Sequence, residues 1–387
     1  MSVALGLVGG VAVDRALGDP ERGHPVAAFG ASAGALEARL YAPRIEAGAL
    51  VAALSIAGAA LPVLVADRRL AGASIARAAT GAAVVWSCLG GRSLWAIGDQ
   101  LAGHLERGDL EAARRLLPSL AGRDPSQLDA SGIARAATES IAENTADAIL
   151  GTLVWGAALG PAGAVVHRAA NTLDAMHGHR SPRYARFGTP AARLDDALGF
   201  LPARLGAWLA VLLAPVVDAS TNSASPGDLT TFVGTPSTTN TVRTQTGGRR
   251  AGAGGSRWAA ARVLWRDGRN HPSPNAGPME AAFAGALGVR LGGPLMYGDR
   301  PEVRGTLNAD GRDPDAQGLR DAVRLSRAVS YATLGVVIAA RLGWFSWVTR
   351  VGSSPRVAGG RSLGWFGRVT RVGSRPRVAG GRGGGLR

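Results

Sequence analysis

Lysine is absent from this 387-residue chain, and all 43 basic residues are arginine. A Walker-type phosphate loop is therefore excluded, because its lysine is the group that reaches the phosphates. Schiff-base chemistry and a lysine general base are excluded with it. Cysteine is nearly absent: Cys88 is the single one. No intrachain disulfide can form, which excludes a disulfide-stapled secreted domain. Cys88 lies in an apolar run and reads as a small buried hydrophobe. Charge is scarce, at 18% of residues, against about a quarter in an ordinary soluble domain. That argues against a long disordered protein and against a charge-studded nucleic-acid-binding domain. Acid is missing from residues 341–387, which hold ten arginines and so supply +10 of the net +15. The rest of the chain is only mildly basic, and no nucleic-acid partner is expected.

What the chain has instead is apolar length. Residues 47–66 are twenty uncharged positions between Glu46 and Asp67, enough helix for a hydrocarbon core of ~30 Å. Residues 78–98 give a second run interrupted by Arg92, and 198–217 a third carrying Arg204. Residues 328–340 are the last. The N-terminal stretch Ser2 to Val13 is apolar, lacks a basic n-region and is followed by Asp14. It reads as a buried or shallowly inserted helix, not a cleavable signal. Residues 148–166 are uncharged around Leu159-Gly160-Pro161-Ala162-Gly163. Proline with glycine breaks a helix, so a helical hairpin entering and leaving on one side is favoured over one kinked span. Its halves, about twelve residues each, are too short to cross.

Residues 99–147 read as soluble amphipathic helices, with Asp109 to Arg115 as one surface helix. Residues 218–256 are rich in Ser, Thr, Asn, Gly and Pro and read as a flexible insertion. Residues 343–361 recur at 364–382, matching at 16 of 19 positions. Two copies do not build a solenoid, and the tail reads as disordered, with adhesion to anionic lipid as its functional reading. The fold class is thus all-α: a polytopic membrane protein with four to five hydrophobic helices, amphipathic helices, an insertion and a tail. Residues 1–217 and 257–342 form one domain, split by the 218–256 insertion, and 343–387 follow it.

Polar residues gather at the edges of the apolar runs. In E-S-I-A-E-N-T-A-D, Glu139, Glu143 and Asp147 recur every fourth residue, with Asn144 beside them. Three like charges on one helical face repel one another and call for arginine, or for Mg²⁺ on a phosphate, as compensation. In H-R-A-A-N-T-L-D, His167, Asn171 and Asp174 share a face. Both motifs set an amide and a carboxylate one turn apart beside a hydrophobic stretch, where ionisable groups are costly and usually functional. No Cys/His set has zinc spacing, and hard oxygen donors suit Mg²⁺. In R-Y-A-R-F-G-T-P-A-A-R-L-D-D, Arg183, Arg186 and Arg193 could clamp phosphate or carboxylate, and Asp195 and Asp196 could hold metal. In H-P-S-P-N-A-G, two prolines fix a rigid loop that displays His271, Ser273 and Asn275, with Glu280 following. The stretch R-L-G-G-P-L-M-Y-G-D-R has no strand-linked dinucleotide fingerprint.

These motifs, with G-D-P and H-P-V at 18–26, N-T-L-D-A-M at 171–176, L-P-A-R-L at 201–205 and E-A-A-F-A-G-A-L at 280–287, resemble those of the CobD/CbiB family of cobalamin biosynthesis proteins. They stand in the family's order. The resemblance implies an integral, multi-pass protein of the cytoplasmic membrane with adenosylcobinamide-phosphate synthase activity. Such an enzyme joins (R)-1-amino-2-propanol, or its O-phosphate, to a propionate carboxylate of adenosylcobyric acid, consuming ATP with Mg²⁺. The corrinoid is substrate, and lipid and other membrane proteins of cobalamin assembly are its expected neighbours. On this reading Glu143, Asp147 and Asp174 serve Mg²⁺ or the amine, and Asn144 and Asn171 orient. Arg183 and Arg193 hold phosphate, Asp195 or Asp196 holds metal, and His271 and Asn275 contact substrate. Two other functions compete. A Mg²⁺-dependent intramembrane prenyl transferase would need D-x-x-x-D spacings where this chain has N-x-x-D. A non-enzymatic signalling protein like the AmpE group would not need the whole motif set. A transporter would need an array of spans or an inverted repeat.

Overall fold

The computed structural model describes residues 1–20, 23–122, 124–178, 181–222, 256–297 and 300–352. The chain divides into a unit Met1–Trp344 and a unit Phe345–Arg387. The second is described only over 345–352, the end of the last helix. The architecture is all-α apart from one β-hairpin. Three helices are long and apolar enough to cross a membrane. They are α3 (Ile45–Arg69), α10 (Thr189–Asn222, apolar to Pro215) and α13 (Ala316–Gly352, apolar to Gly343). Only 17% of the apolar window of α3 is buried by protein, against 50% in α10. Leu50, Leu54, Leu61 and Val65 point outward from α3, so this helix turns one side to lipid, which is as apolar as they are.

Four to five hydrophobic helices are expected from the sequence; among the described residues this measure picks out these three. The run at 78–98 is two helices, α4 (Ser74–Cys88) and α5 (Gly91–Glu106), parted by an extended Leu89. Asp14, at the end of α1 (Ser2–Leu17), explains the break. Its buried carboxylate accepts from the Arg92 N–H at 3.1 Å, and a carboxylate at a helix start satisfies an orphan donor and the dipole together. Trp86 Nε1 closes the same corner on the Gly18 carbonyl at 3.0 Å. α1 itself packs on α4, with Gly6 against the Gly81 backbone and Gly10 against Val85. Small residues let backbones approach in this way.

The 148–166 stretch is a helical hairpin. α7 (Ala130–Asn144) runs through a π-helical turn, Thr145–Leu150, into α8 (Gly151–Leu159). Gly160, at φ 76°, reverses the chain, and Pro161 opens α9 (Pro161–His177). The incoming arm exceeds the twelve residues expected, because α7 and α8 are continuous. The π turn coincides with a hydroxyl that competes for the ladder. Thr145 Oγ1 donates to the Ile141 carbonyl at 2.6 Å and meets Ser326 Oγ at 2.6 Å. Trp95 Nε1 completes the group on Ser326 at 2.8 Å. Such turns recur at functional sites.

The remaining helices are α2 (Pro25–Leu40), α6 (Leu110–Leu116), α11 (Arg257–Asp267) and α12 (Ala276–Leu287). α6 is the expected surface helix, capped by Asp109 on the Ala112 N–H at 3.0 Å. α12 is the most enclosed, with Met279, Ala282 and Phe283 fully buried. Gly206 of α10 makes room for Leu150 and Met279, and Gly98 of α5 for Ile141 and Val323. Arg327 of α13 donates to Asp99 of α5 at 2.6 Å.

One sequence expectation needs correction here. Two strands, β1 (Leu291–Tyr297) and β2 (Arg300–Leu307), pair antiparallel where no strand was expected. Gly292 and Gly293 both take positive φ, at 72° and 90°, around a bulge. A helix is barred there, and with glycine and proline in the strand the period-two signal is too weak to read. α10 continues through Asn222 and α13 through Gly352, so 218–222 and 343–352 are helical. The remainder, 223–255 and 353–387 with the second repeat copy, lies outside the described residues.

Candidate functional site

Three helices that are far apart in sequence bring carboxylates to one place. α7 and its π turn supply Glu143 and Asp147, α9 supplies Asn171 and Asp174, and α10 supplies Asp195 and Asp196. The Asn171 amide lies close enough to both Asp147 and Asp195 to interact with each. Asp195 in turn feels the charges of Asp174, Asp196 and Glu143. Burial pushes the Asp147 carboxyl well above the usual carboxylate range, and Asp195 and Glu143 push the same way. Arg168, one turn before Asn171 on α9, is the cation that counters them.

The regular i, i+4, i+8 stripe does not survive. Glu139 is 2% exposed and turns to the β-hairpin, where Oε1 accepts from the Gly292 N–H at 2.8 Å. The wider π turn resets the phase of Asp147 relative to it. Asn144 also leaves the cluster. Its Nδ2 donates to the Ser140 carbonyl at 2.9 Å and to Ser140 Oγ at 3.0 Å. His167 is buried against Gly151, whose Cβ, if present, would sit 1.9 Å from the ring. It therefore faces α8, not the acids.

Arg183 is committed elsewhere. Its Nη2 and Nε donate to Glu37 Oε1 at 2.9 and 3.3 Å, and its guanidinium stacks on Tyr41 at 4.3 Å. Glu37 of α2 also accepts from Tyr184 Oη at 2.9 Å and pairs with His177 Nε2 at 3.1 Å. Burial would raise the Glu37 carboxyl, but Arg183, Tyr184 and His177 together outweigh it and hold it below its ordinary range. This clamp fixes the end of α9, which carries Asp174, and the loop into α10, which carries Asp195. Arg193 is exposed on the first turns of α10.

The loop at 271–275 forms a second polar group. His271 Nδ1 accepts from the Ser273 N–H at 3.0 Å. Its Nε2 lies 3.1 Å from Arg304 Nη1 and 3.5 Å from Glu280 Oε1, a carboxylate fully buried in α12. Asn275 ties this loop to the acidic helices: Nδ2 donates to the Asp196 carbonyl at 2.9 Å and Oδ1 accepts from Arg204 at 2.7 Å. Gly199 leaves the space in which that amide sits.

Among the described residues, no three His, Cys, Asp or Glu side chains are arranged to enclose a metal ion. The donors at the cluster are hard oxygens, and Mg²⁺ is ordinarily held by one or two carboxylates with phosphate and water completing its shell. The cluster fits that mode and does not fit a closed protein cage. Arg168, Glu37 and Tyr184 are the residues that motif reading passed over. Arg168 had a local signal, a cation three residues before Asn171 (i–3). Glu37 had none, since its partners lie about 140 residues away in sequence.

A family model described as CobD/Cbib protein matches residues 7–326. The chain belongs to the CobD/Cbib family. Among relatives of this CobD/Cbib chain, a Mycobacterium tuberculosis protein named cobalamin biosynthesis protein CobD is 46% identical over 345 residues, covering 87% of this chain and 96% of that protein. Proteins of the same name from Rhodobacter capsulatus and Pelobacter propionicus are each 35% identical, over 354 and 337 residues. They cover 88% and 84% of this chain, and 99% and 92% of their own lengths. No solved structure matches. CobD/Cbib membership supports a role in cobalamin biosynthesis, and hence corrinoid substrates. The apolar helices mark this CobD/Cbib chain as a membrane protein. The G-D-P and H-P-V motif lies beside the α4–α5 corner, where His24 caps α2 on the Val26 N–H at 3.1 Å and pairs with Asp19 at 3.5 Å.

Proposed function

We propose that this chain is an adenosylcobinamide-phosphate synthase of the cytoplasmic membrane. It joins (R)-1-amino-2-propanol, or its O-phosphate, to a propionate carboxylate of adenosylcobyric acid at the expense of ATP. The observation that carries this reading is the meeting of Asp147, Asn171 and Asp195 from three separate helices, in a chain whose relatives act in cobalamin biosynthesis by name.

A carboxylate does not condense with an amine unaided in water. Its oxygen attacks the terminal phosphorus of ATP, ADP leaves, and an acyl phosphate results. The neutral amine then attacks the acyl carbon, the amide forms, phosphate departs, and the nitrogen gives up a proton. A cluster rich in carboxylates binds the incoming ammonium. Asp147, whose affinity for protons is raised by burial, is placed to take that proton. Mg²⁺, when bound, would neutralise phosphate charge, with Asp195 or Asp196 among its ligands. Asn171 holds Asp147 and Asp195 in register, and Arg193 offers a cation to phosphate from the edge of α10.

The test is complementation of a strain unable to attach aminopropanol, together with mass detection of the amidated corrinoid made by the purified full-length chain with ATP and Mg²⁺. Formation of the amide with matched ATP consumption is expected. Purified, folded chain that makes no amidated corrinoid would remove the reading.

A further inference from the structure

A cavity of about 200 Å³ lies between α2, α3, α4 and α9. Its walls are carbon: Pro25, Phe29, Val63, Val84 and Val165 line it. Ser87 and Thr172 also border it, but both hydroxyl protons are committed, to the Val84 and Arg168 carbonyls at 2.8 Å each. Burial pushes the Cys88 thiol up to about 11, so it brings no negative charge. The one charged side chain lining the cavity is Arg168. Its Nε is buried and donates to nothing, and among the described residues its guanidinium forms no ion pair. Yet it lies close enough to Asp147 for their charges to interact.

We propose that this cavity is the subsite for the reacting carboxylate arm of the corrinoid, with Arg168 holding the carboxylate at the edge of the acidic cluster. The proposal rests on the functional reading above and deepens it. The volume decides what enters. Pockets that enclose a drug-sized ligand run from about 300 Å³ upward, so neither a corrin ring nor a nucleotide fits, whereas a short aliphatic arm does. The lining decides which anion. A phosphate ester carries up to about two charges and three acceptor oxygens, which one guanidinium in a wall of carbon does not satisfy. A carboxylate carries one charge, and a single guanidinium fork pairs with it bidentately. The apolar wall strengthens that pairing and makes an unpaired anion or cation costly. Arg168 thus offsets the repulsion that the neighbouring acids would exert on a carboxylate, and brings it beside groups suited to the amine.

The test is equilibrium binding of two coloured corrinoids to the full-length chain in lipid nanodiscs, followed by absorbance. Adenosylcobyric acid has the free arm; adenosylcobinamide has it already amidated. Arg168→Met is expected to weaken adenosylcobyric acid about tenfold or more and to leave adenosylcobinamide unchanged, with Arg168→Lys intermediate. Ala59→Phe, which fills the cavity from α3 without touching the charge, is expected to weaken the acid as well. Equal weakening of both corrinoids by Arg168→Met, or of neither, would overturn the subsite. So would a rise in KM confined to the amine phosphate. A wild-type chain that binds neither corrinoid would instead remove the functional reading, and the subsite with it.

Discussion

Two carboxylate groups in this chain meet opposite surroundings. Glu37 is one acid among three donors, and Arg183, His177 and Tyr184 all turn to it. At the seam of α7, α9 and α10 the proportion inverts. Glu143, Asp147, Asp174, Asp195 and Asp196 lie near enough for their charges to interact, and one amide, Asn171, stands beside two of them. An acid saturated by donors holds a fold in place. Acids set against acids raise one another's proton affinity and suit a cation, an ammonium or a transferred proton. The clamp and the seam are also connected: the clamp pins the helix ends on which Asp174 and Asp195 ride.

This contrast can be broken at several points, and the largest effect belongs to the seam. Asp147→Asn should lower amide formation by about 10²–10⁴-fold, the usual worth of a positioned acid or base, with membrane insertion and thermal unfolding unchanged. Activity assays in nanodiscs beside unfolding curves would check it. The clamp should answer in the opposite sense. Glu37→Gln should cost about 1–2 kcal/mol of stability by leaving the buried His177 and the half-buried Tyr184 hydroxyl under-satisfied, readable in thermal or denaturant unfolding. It should lower activity only as far as the helix ends loosen.

Acid should separate the two regions as well. The Glu37 carboxyl titrates below its unfolded value. Its contribution is therefore fully present above the unfolded pKa and is lost as pH falls through the folded one. Wild type should lose stability across that acidic window more steeply than Glu37→Gln, as unfolding measured at a series of pH values would show. The smallest effect is expected at Arg193, which is exposed. Arg193→Ala should raise the KM for ATP a few-fold, and less at high salt, because solvent screens an exposed charge.

The legibility of these regions in the sequence follows the same division. Glu143 with Asp147, Asn171 with Asp174, and Asp195 with Asp196 were visible because each set lies within two turns of one helix. Their convergence was not a local property; it needs the reversal at Gly160 and Pro161 and the loop that leads into α10. The partners that Glu139 and Asn144 take, the Gly292 N–H and the Ser140 carbonyl, are not legible from helical spacing alone. The pairing of Arg183 with Glu37 is not legible because the two are remote in sequence. Apolar length marked α3, α10 and α13. The run at 78–98 is divided between α4 and α5, because an acid from α1 caps the start of α5, and hydropathy does not register a cap.

The central claim is that Asp147 and Asp195 act as one unit across two helices. A double-mutant cycle on amide formation by the full-length chain tests it most directly, with Asp147→Asn, Asp195→Asn and the pair measured under one condition. Residues acting together lose little more in combination than in the worse single variant, and that is the result expected here. Losses that multiply independently would contradict it.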